Sequence, residues 1–446
     1  MNEKATTEKN KTEKVESLPE GWKRVRLGEV CKVQCGFAFK SEEFSEEGIP
    51  IIKVTNISDQ RVTLNDKDSY LPSYKIKFYQ DFIIKEKDIL VALSGSVGKI
   101  GIAKDIKVAL LNQRVGRFII NSKVINNTFV FFLLSKNEFY NFILNNSASS
   151  AQPNISPSFV ESFEIILPPL PEQQKIAEIL ETVDNAIEKT DAIIEKYRRI
   201  KKGLMADLLT GKIRLIPYGH SKAEGEESPL LTSPEAKKFV IGDKTFVAVP
   251  NQKWRNTPIG KIPEDWEVRK LGEIGEIIYG ERLSEQEYVE DGTSIVYGTT
   301  GIIAKTEKYL GVGETIVLPR KGSIDNKFYV ESGQKFFVID TAFYLRFNSK
   351  EASNIKFVYY FLYQINLELL NEATGVPSLN RENLKIIFLP LPPLPEQQLI
   401  ADVLSQVDEV IEKEIQYKEK LERIKKGLME DLLTGKVRVN NLIKED

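Results

Sequence analysis

The sequence predicts an α+β fold: two mixed α/β modules separated by two long helices that pair as an antiparallel coiled coil, in a pseudo-two-fold internal repeat. Three observations predict it. Residues 167–214 and 391–438 form two copies of 48 residues, identical at 32 positions when aligned without a gap. Each copy carries apolar residues at alternating steps of three and four, as paired helices do. The segments before the two copies differ from each other, yet both mix strand-like and helical runs.

The first copy predicts a helix from Glu172 to Leu209, with a length of about 57 Å at about 1.5 Å per residue. A helix with one apolar stripe needs a partner, and the other copy is the obvious one. We interpret Gly203 and Gly427 as positions where the crossing helix packs closely. The predicted seam residues are Ile176, Leu180, Val183 and Ile187 in the first copy and Ile400, Leu404, Val407 and Ile411 in the second.

The two modules are expected to fold around their own cores. The stretch 217–250 contains the acidic sequence KAEGEES and is predicted to be mobile. The predicted domain order is a disordered tail at 1–17, a first module at 18–166, a first helical spacer at 167–215, a linker at 216–258, a second module at 259–390 and a second helical spacer at 391–440.

The composition is that of a folded protein whose charges nearly balance. Of 446 residues, 41% are hydrophobic and 28% are charged, with 62 Lys and Arg against 64 Asp and Glu and a net charge of -2. This balance excludes a uniformly basic nucleic-acid coat protein but allows a locally basic face. No apolar run approaches the roughly 18 residues that span a membrane, and the N-terminus lacks the apolar region of a secretory signal. We therefore expect a cytoplasmic protein that does not bind membranes.

The reactive residues predict that the chain is not an enzyme. Cys31 and Cys35 are the two cysteines, and His220 is the single histidine. Two cysteines make no disulfide framework, and a zinc site would need further ligands from far away. One histidine in an apparent linker argues against Ser-His-Asp or Cys-His catalysis. The sequence also lacks a phosphate-binding G-x-x-x-x-G-K-[ST] loop and a dinucleotide-binding glycine fingerprint. We predict no catalytic, metal-binding or cofactor-binding residues.

Two Gly/Ser turns with cations stand at corresponding places, each after an apolar strand of its module. They are SGSVGK, Ser94–Lys99, and RKGSID, Arg320–Asp325. Such turns expose backbone N–H groups and short donors that suit phosphate contacts. Residues 82–117 hold seven basic against three acidic residues, whereas the second module has more acidic than basic residues. A basic run is usually a solvated face, so the correspondence of the two turns is what favours a nucleic-acid contact.

Taken together, these segments resemble one family. The LPPLPEQQ segment, the helix end RIKKGLMxDLLTGK, the IPEDWE opening and the GSxG turn resemble the specificity subunit of type I restriction–modification systems, from about Leu18 to Arg438. The resemblance implies two target-recognition domains, each reading half of a bipartite double-stranded DNA target. It also implies that the helices dock two modification subunits, which methylate adenine, and that restriction (motor-nuclease) subunits join them. S-adenosylmethionine, ATP and Mg²⁺ are then expected on the partner subunits and none of them on this chain.

Polar and cationic side chains on the module loops are predicted to read base edges in the major groove. Two other functions stay open: a structural coiled-coil adaptor without direct DNA reading, and a single-chain nuclease–methylase, whose motifs the sequence lacks. Near the helix ends, Lys201, Lys202, Lys425 and Lys426 are expected to be solvated or to contact phosphate or a partner subunit. The predicted DNA-binding residues are Lys40, Ser94, Ser96, Lys99, Gln113 and Arg114 in the first module and Arg282, Tyr297, Arg320, Lys321, Ser323 and Lys327 in the second.

Overall fold

The chain divides into two compact units, Met1–Thr190 with Tyr417–Asp446, and Asp191–Gln416. Each unit therefore contains one module together with one end of each long helix. The predicted tail at 1–17 lies outside the described residues, and the predicted domain boundaries stay a prediction. The structure, a computed structural model, describes residues 18–58, 60–65, 68–147, 154–217, 236–241, 244–348 and 353–443.

The first module is rich in short strands. Its main sheets have the orders β2-β11-β8-β9-β5-β4 and β6-β3-β10-β7, and β1 pairs antiparallel with β12. The strands are β1 (Lys23–Arg26), β2 (Cys31–Cys35), β3 (Ile49–Ile52), β4 (Ile57–Ser58), β5 (Gln60–Val62), β6 (Tyr70–Leu71), β7 (Ile83–Ile84), β8 (Ile89–Ala92), β9 (Ile100–Ala103), β10 (Ala109–Leu111), β11 (Val115–Ile120) and β12 (Glu164–Leu167). The helices are α1 (Leu27–Val30), α2 (Asn127–Leu134), α3 (Asn137–Ser147), α4 (Pro157–Glu161) and the long α5 (Leu170–Leu208).

The second unit repeats this plan. Its main sheets have the orders β19-β26-β23-β24 and β21-β20-β25-β22, and β18 pairs with β27 as β1 does with β12. The strands are β13 (Ile213–Pro217), β14 (Lys237–Ile241), β15 (Lys244–Pro250), β16 (Trp254–Thr257), β17 (Gly260–Pro263), β18 (Glu267–Lys270), β19 (Gly275–Tyr279), β20 (Ser294–Gly298), β21 (Gly301–Thr306), β22 (Gly311–Val312), β23 (Thr315–Pro319), β24 (Phe328–Val330), β25 (Lys335–Val338), β26 (Ala342–Phe347) and β27 (Phe388–Leu391). The helices are α6 (Leu271–Ile274), α7 (Ile355–Gln364), α8 (Arg381–Lys385) and the long α9 (Leu394–Leu433).

Local sequence accounts for the equivalent elements of the two modules. The helices α2 and α7 begin at the N-caps Asn126 and Asn354, whose side chains accept hydrogen bonds from backbone N–H groups in the first turn. Strands β8 and β23 are mostly apolar and are buried at every position, as central strands between packed layers are. Each module therefore has the core of its own that its composition predicts.

The linker predicted at 216–258 is wrong in the part that the structure describes. Strand β15 pairs antiparallel with both β13 and β14, and β16 pairs with β17. Phe246, Val247 and Val249 are buried in this sheet. The acidic sequence KAEGEES favoured the prediction of a linker. The apolar residues that follow it alternate with polar ones, a pattern that is typical of strands. Residues 218–235 lie outside the described part, so their predicted mobility stays a prediction.

The two long helices are confirmed. Helix α5 has 39 residues and α9 has 40, and α5 begins two residues before the predicted start and ends one before the predicted end. Four predicted seam residues, Ile176, Leu180, Ile400 and Leu404, are fully buried. The other four are half-buried and lie further along each helix: Val183, Ile187, Val407 and Ile411. Burial of the seam is therefore strongest near the helix starts, where the modules pack.

The helices run antiparallel, as predicted. In the first unit, Ile176 near the start of α5 shares a core with Leu432 at the end of α9. In the second unit, Ile400 near the start of α9 shares a core with Leu208 at the end of α5. Each unit therefore joins the start of one helix to the end of the other.

A buried carboxylate joins three distant segments in the first unit. Glu172 is 2% exposed and accepts hydrogen bonds from Nε1 of Trp22 at 2.9 Å and from Nε and Nη2 of Arg438 at 2.7 and 2.9 Å. The Arg438 guanidinium lies 5.7 Å from the centroid of the Trp22 ring. We call these three residues the first helix-end cluster. It fixes the start of the module and the end of α9 to the first turn of α5.

The second unit contains the equivalent cluster. Glu396 accepts hydrogen bonds from Nε1 of Trp266 at 3.3 Å and from Nη2 of Arg214 at 2.7 Å. Asp265 also receives two 2.8 Å bonds from the Arg214 guanidinium. Burial opposes the charge on Arg214, but the two carboxylates outweigh it and raise the pKa of the guanidinium. We call Arg214, Trp266 and Glu396 the second helix-end cluster.

The glutamine after each buried carboxylate explains the PEQQ sequence. Oε1 of Gln173 accepts from the backbone N–H of Asn126 at 2.9 Å, and Oε1 of Gln397 accepts from that of Asn354 at 2.8 Å. Nε2 of each glutamine donates at 2.8 Å to the carbonyl of the proline five residues before it. Each glutamine therefore ties the start of its long helix to the N-cap of a module helix.

Two of the four lysines near the helix ends pair with the opposite helix rather than with phosphate or a partner subunit. Nζ of Lys425 lies 2.5 Å from Asp184, and Nζ of Lys201 lies 2.6 Å from Asp408. Each amine also lies over an aromatic ring of its module, that of Lys201 at 5.3 Å from Tyr360. These side chains are largely covered, which corrects the expectation for Lys201 and Lys425.

The prediction of close helix packing at the two helical glycines is wrong. Gly203 and Gly427 are exposed, and a Cβ added at either would meet no heavy atom within 4 Å in the described chain. Their neighbours Lys202 and Lys426 are exposed as well. Both glycines face away from the paired helix.

We predict that Glu172→Gln destabilises the first unit by about 1–3 kcal/mol. The substitution weakens the buried hydrogen bonds from the charged Arg438 and the neutral Trp22. Although burial opposes ionisation, Arg438 and Trp22 hold the pKa of Glu172 below its ordinary 4.5. A lowered folded pKa contributes stability above the unfolded pKa and loses it as the pH falls through the folded pKa. The difference between wild type and Glu172→Gln should therefore shrink below about pH 4.5.

Urea unfolding of both chains across this pH range measures the effect. The matched control is Glu178→Gln on the same helix, whose exposed side chain pairs with Lys175. It should change stability by less than about 0.5 kcal/mol. Equal losses for the two variants would contradict a special role for the buried carboxylate.

Candidate DNA interface

One edge of the first module gathers the loops that contain the predicted residues. The backbone N–H of Leu93 donates to the carbonyl of Arg114 at 2.9 Å, and that of Phe37 donates to the carbonyl of Leu111 at 2.8 Å. A Cβ on Gly36 would lie 2.2 Å from the carbonyl oxygen of Leu111, so only glycine allows this approach. We call residues 36–40, 94–99, 112–114 and 154–156 the first loop edge.

The second module builds the same edge from equivalent residues. The backbone N–H of Arg320 donates to the carbonyl of Thr341 at 2.9 Å, and that of Glu281 donates to Val338 at 2.9 Å. A Cβ on Gly280 would lie 2.2 Å from a carbonyl oxygen, as at the equivalent glycine of the first module. We call residues 279–284, 320–326, 339–341 and 378–381 the second loop edge. The two loop edges share their backbone bonds although their sequences differ.

The structure brings the six predicted residues of the first module to the first loop edge. Ser94 is the least accessible, at 9% exposed, and its backbone forms an isolated bridge with Asn154. The other five residues are exposed: Lys40, Ser96, Lys99, Gln113 and Arg114. The equivalent turn in the second module begins at Lys321, which bridges to Ser378. Four exposed predictions of the first module therefore lie on the neighbouring turns 94–99 and 112–114, and Lys40 lies at the end of segment 36–40 of the same edge.

Four of the six predictions in the second module lie on the second loop edge. Arg282, Lys321 and Ser323 are exposed. Arg320 is half-buried and donates from Nη1 to the carbonyl of Asp340 at 2.7 Å. The second loop edge therefore presents basic side chains although the module as a whole is net acidic.

Tyr297 and Lys327 lie in the interior, and we leave them out of the interface. Nζ of Lys327 pairs with Asp325 at 2.7 Å and donates to the carbonyl of Ile365 at 2.6 Å, with 4% of the residue exposed. The hydroxyl of Tyr297 accepts a bond from Gln334 at 3.2 Å. Burial raises the pKa of Tyr297, so the hydroxyl stays neutral. Both polar groups serve the fold of the module.

Part of the basic stretch at 82–117 binds the long helix instead of facing a ligand. Lys87 pairs with Glu181 at 3.4 Å, and Lys104 and Arg61 both pair with Glu188. These ion pairs attach the first module to α5 within the first unit. Counting basic residues along the sequence could not separate them from the exposed lysines of the loop edge.

Sequence reasoning missed an aromatic and cationic group on the second loop edge. The guanidinium groups of Arg320 and Arg381 lie 5.0 and 5.2 Å from the ring centroid of Tyr279, which is 43% exposed. The signal available was the polar segment NEATGVPSLNREN, which contains Arg381. Its neighbour in space could not be identified because about a hundred residues separate it from Tyr279.

Within the described residues, no group of three or more His, Cys, Asp or Glu side chains is placed to hold a metal ion. The described part of the chain also has no helix of the length and apolar character that crossing a bilayer requires. His220 lies outside the described residues. The two loop edges present hydrogen-bonding and cationic side chains, which suit the recognition of a polar anion.

Comparisons with known proteins agree with this architecture. The model of the type I restriction modification DNA specificity domain matches residues 19–196 and 263–423. The chain is 37% identical over 210 residues to the type I restriction enzyme MjaVIII specificity subunit of Methanocaldococcus jannaschii, covering 46% of this chain and 49% of that protein. It is 27% identical over 456 residues to the putative MjaX specificity subunit of the same organism, covering 96% of each.

A solved structure supports the fold. The crystal structure of the type I restriction–modification S subunit from M. genitalium superposes with a TM-score of 0.62 at 17% identity, covering 92% of this chain and 96% of that one. The chain spans about half the length of the MjaVIII relative and nearly all of the MjaX relative. Because the family model matches both modules and most of both long helices, the chain belongs to the type I restriction–modification DNA specificity family, whose members are non-catalytic specificity subunits.

Proposed function

We propose that this chain reads a bipartite double-stranded DNA target, with one half-site bound by each loop edge, in a cytoplasmic type I restriction–modification complex. The adenine-methylating subunits and the ATP-dependent motor-nuclease subunits dock on it. S-adenosylmethionine, ATP and Mg²⁺ are bound by those partners. This chain supplies sequence recognition and the spacing between the two half-sites.

The observation that carries the proposal is the equivalence of the two loop edges. Gly36 and Gly280 permit the same close approach, and Gly95 and Gly322 adopt the same left-handed backbone, with φ of 70° and 85°. Most exposed side chains differ at equivalent positions, as Phe37 and Glu281 do, whereas Ser96 and Ser323 are the same. Shared backbone geometry can position both edges against a duplex, while different side chains read different bases.

The long helices support a fixed spacing. At about 1.5 Å per residue, a helix of this length spans roughly 58 Å, or about one and a half turns of a duplex with about 34 Å per turn. The buried helix-end clusters hold each module at a helix start. We therefore expect the spacing of the half-sites to follow helix length.

We predict that replacing residues 18–166 with the module of another family member changes one half of the recognised sequence. The reason is that each loop edge is built within its own unit. Methylation mapping of DNA from cells that express the chimera with modification subunits measures this. The reciprocal control replaces residues 259–390 and should change the other half only.

A change in both halves from either replacement would contradict the modular proposal. Binding that is blind to sequence, with and without modification subunits, would instead support a structural adaptor.

We also predict that seven residues inserted in phase into both α5 and α9 lengthen the spacer by about 3 base pairs, since seven helical residues add about 10.5 Å. Insertion in both helices keeps the antiparallel seam and the ion pairs of each unit matched. The same mapping experiment gives the spacer length. An unaltered spacer in a folded variant would show that the helices do not set the distance.

A further inference from the structure

The second loop edge contains a stack of aromatic and cationic side chains that begins in the core of the second module. The ring of Phe343 is fully buried, and the ring of Tyr279 packs on it with the two centroids 5.0 Å apart. The guanidinium groups of Arg320 and Arg381 in turn lie 5.0 and 5.2 Å from the centroid of the exposed Tyr279 ring. The stack is therefore fixed in the core at one end and cationic at the other.

Arg381 has donors that are not used within the part of the chain that the structure describes. Its Nε is buried and lies 3.4 Å from a carboxylate oxygen of Glu382 without a hydrogen bond. Neither of its Nη groups donates to a described residue, and 35% of the side chain is exposed. Stacking on an aromatic ring restricts a guanidinium while leaving the donors in its plane available. Arg381 therefore presents a restrained guanidinium whose outer donors are open to a ligand.

Arg320 belongs to the same stack, but its contacts suit a different task. Its Nη1 donates to the carbonyl of Asp340 at 2.7 Å. Its backbone carbonyl accepts from the N–H of Leu379 at 2.8 Å, two residues before Arg381. These bonds occupy part of the Arg320 guanidinium and attach the segment before α8 to the rest of the edge. Arg320 is therefore placed to position the stack, and Arg381 is placed to bind.

The first module has no such stack at the equivalent positions. Tyr279 and Cys35 directly precede the matched glycines of the two loop edges. Shared backbone bonds match Arg320 with the buried Leu93, and the first residue of α8 with that of α4, a proline. A phosphate contact serves every duplex sequence, so a shared docking geometry would repeat it in both modules. A cationic stack in one module suits the reading of one base in one half-site.

We infer that Arg381 reads a guanine in the half-site of the second module, with Tyr279 and Arg320 as positioning residues. A guanidinium fork matches the O6 and N7 acceptors on the major-groove edge of guanine. Adenine and cytosine place an amino donor on that edge, and a guanidinium has no acceptor for it. This inference rests on the proposed function and names the base and the residue that reads it.

A guanine analogue tests the contact at the level of one atom. Replacing guanine with 7-deazaguanine removes the N7 acceptor and keeps the base pair. Methylation mapping of the wild-type complex gives the target, and exchange of residues 259–390 identifies the half-site of the second module. One analogue in that half-site should weaken binding of the full chain with its modification subunits by about tenfold, because a hydrogen bond from a charged donor is lost.

Variants of Arg381 show whether this residue makes the contact. Arg381→Ala should bind the guanine and analogue duplexes with equal affinity, as a double-mutant cycle requires of two groups in contact. Arg381→Lys keeps the charge and the aliphatic stem but loses the fork, so its preference for guanine over adenine should fall by about 5- to 150-fold. Lys385→Ala, a neighbouring cation on α8, is the matched control and should still distinguish the analogue.

Variants of the stack separate positioning from folding. Tyr279→Phe keeps the ring and should keep the preference for guanine, whereas Tyr279→Leu should lose part of it. A Tyr279→Leu complex with a lowered thermal midpoint and an unchanged preference would show that the ring serves only the fold. If Arg320→Ala rather than Arg381→Ala removes the discrimination against the analogue, Arg320 is the reader and the assignment is overturned.

Other outcomes separate this inference from the proposed function. A second half-site without a G·C pair, or an Arg381→Ala complex that distinguishes the analogue as the wild type does, would overturn the inference alone. A uniform loss of affinity across sequences with a shallower salt dependence would show a phosphate contact and overturn it as well. A wild-type complex without sequence preference would contradict the proposed function too.

Discussion

The burial of two carboxylates, Glu172 and Glu396, is the constraint on which the rest of the structure depends. A buried ionised group is costly unless it is paired and hydrogen-bonded. Each repeat provides a carboxylate at the start of its helix and an arginine just past the end. Only an antiparallel arrangement brings the arginine of one repeat to the carboxylate of the other. A parallel pair would place Arg214 beside Arg438 and leave both carboxylates without their charged partner.

This arrangement leaves the modules free to differ. The clusters take one tryptophan from each module, and the glutamines take one backbone N–H from a module helix. Few module positions are therefore fixed by the attachments that the two units share, and the ion pairs of Lys87, Lys104 and Arg61 with α5 are additional in the first unit. Within the modules, Gly36 and Gly280 fix the approach of the loops, because any side chain there would overlap a carbonyl oxygen. Residues that face outward on the same loops are not constrained by either requirement.

The sequence predicts the structural features that follow from the spacing of apolar residues. It does not predict contacts between residues that lie far apart in the chain. Helix bounds, seam and antiparallel direction follow from a repeat that places apolar residues in register. Lys327 lies beside a Gly/Ser turn, but sequence cannot show that its amine points inward to Ile365. Gly203 suggests close packing of the crossing helix, yet sequence cannot show that this position is open in the described chain. The Tyr279 and Arg381 contact joins segments that pattern alone does not connect.

The internal repeat allows the exposed surfaces of the two long helices and of the two loop edges to be compared position by position. On the long helices, exposed residues such as Ile200 and Ile424, or Gly203 and Gly427, are the same in both copies although no contact within the described chain requires it. On the loop edges, most exposed residues at matched positions differ although the backbone is the same, and the serine pair Ser96 and Ser323 is an exception. A surface with the same residues in both copies of the repeat suits one kind of partner bound twice. A surface with different residues in the two copies suits two different ligands.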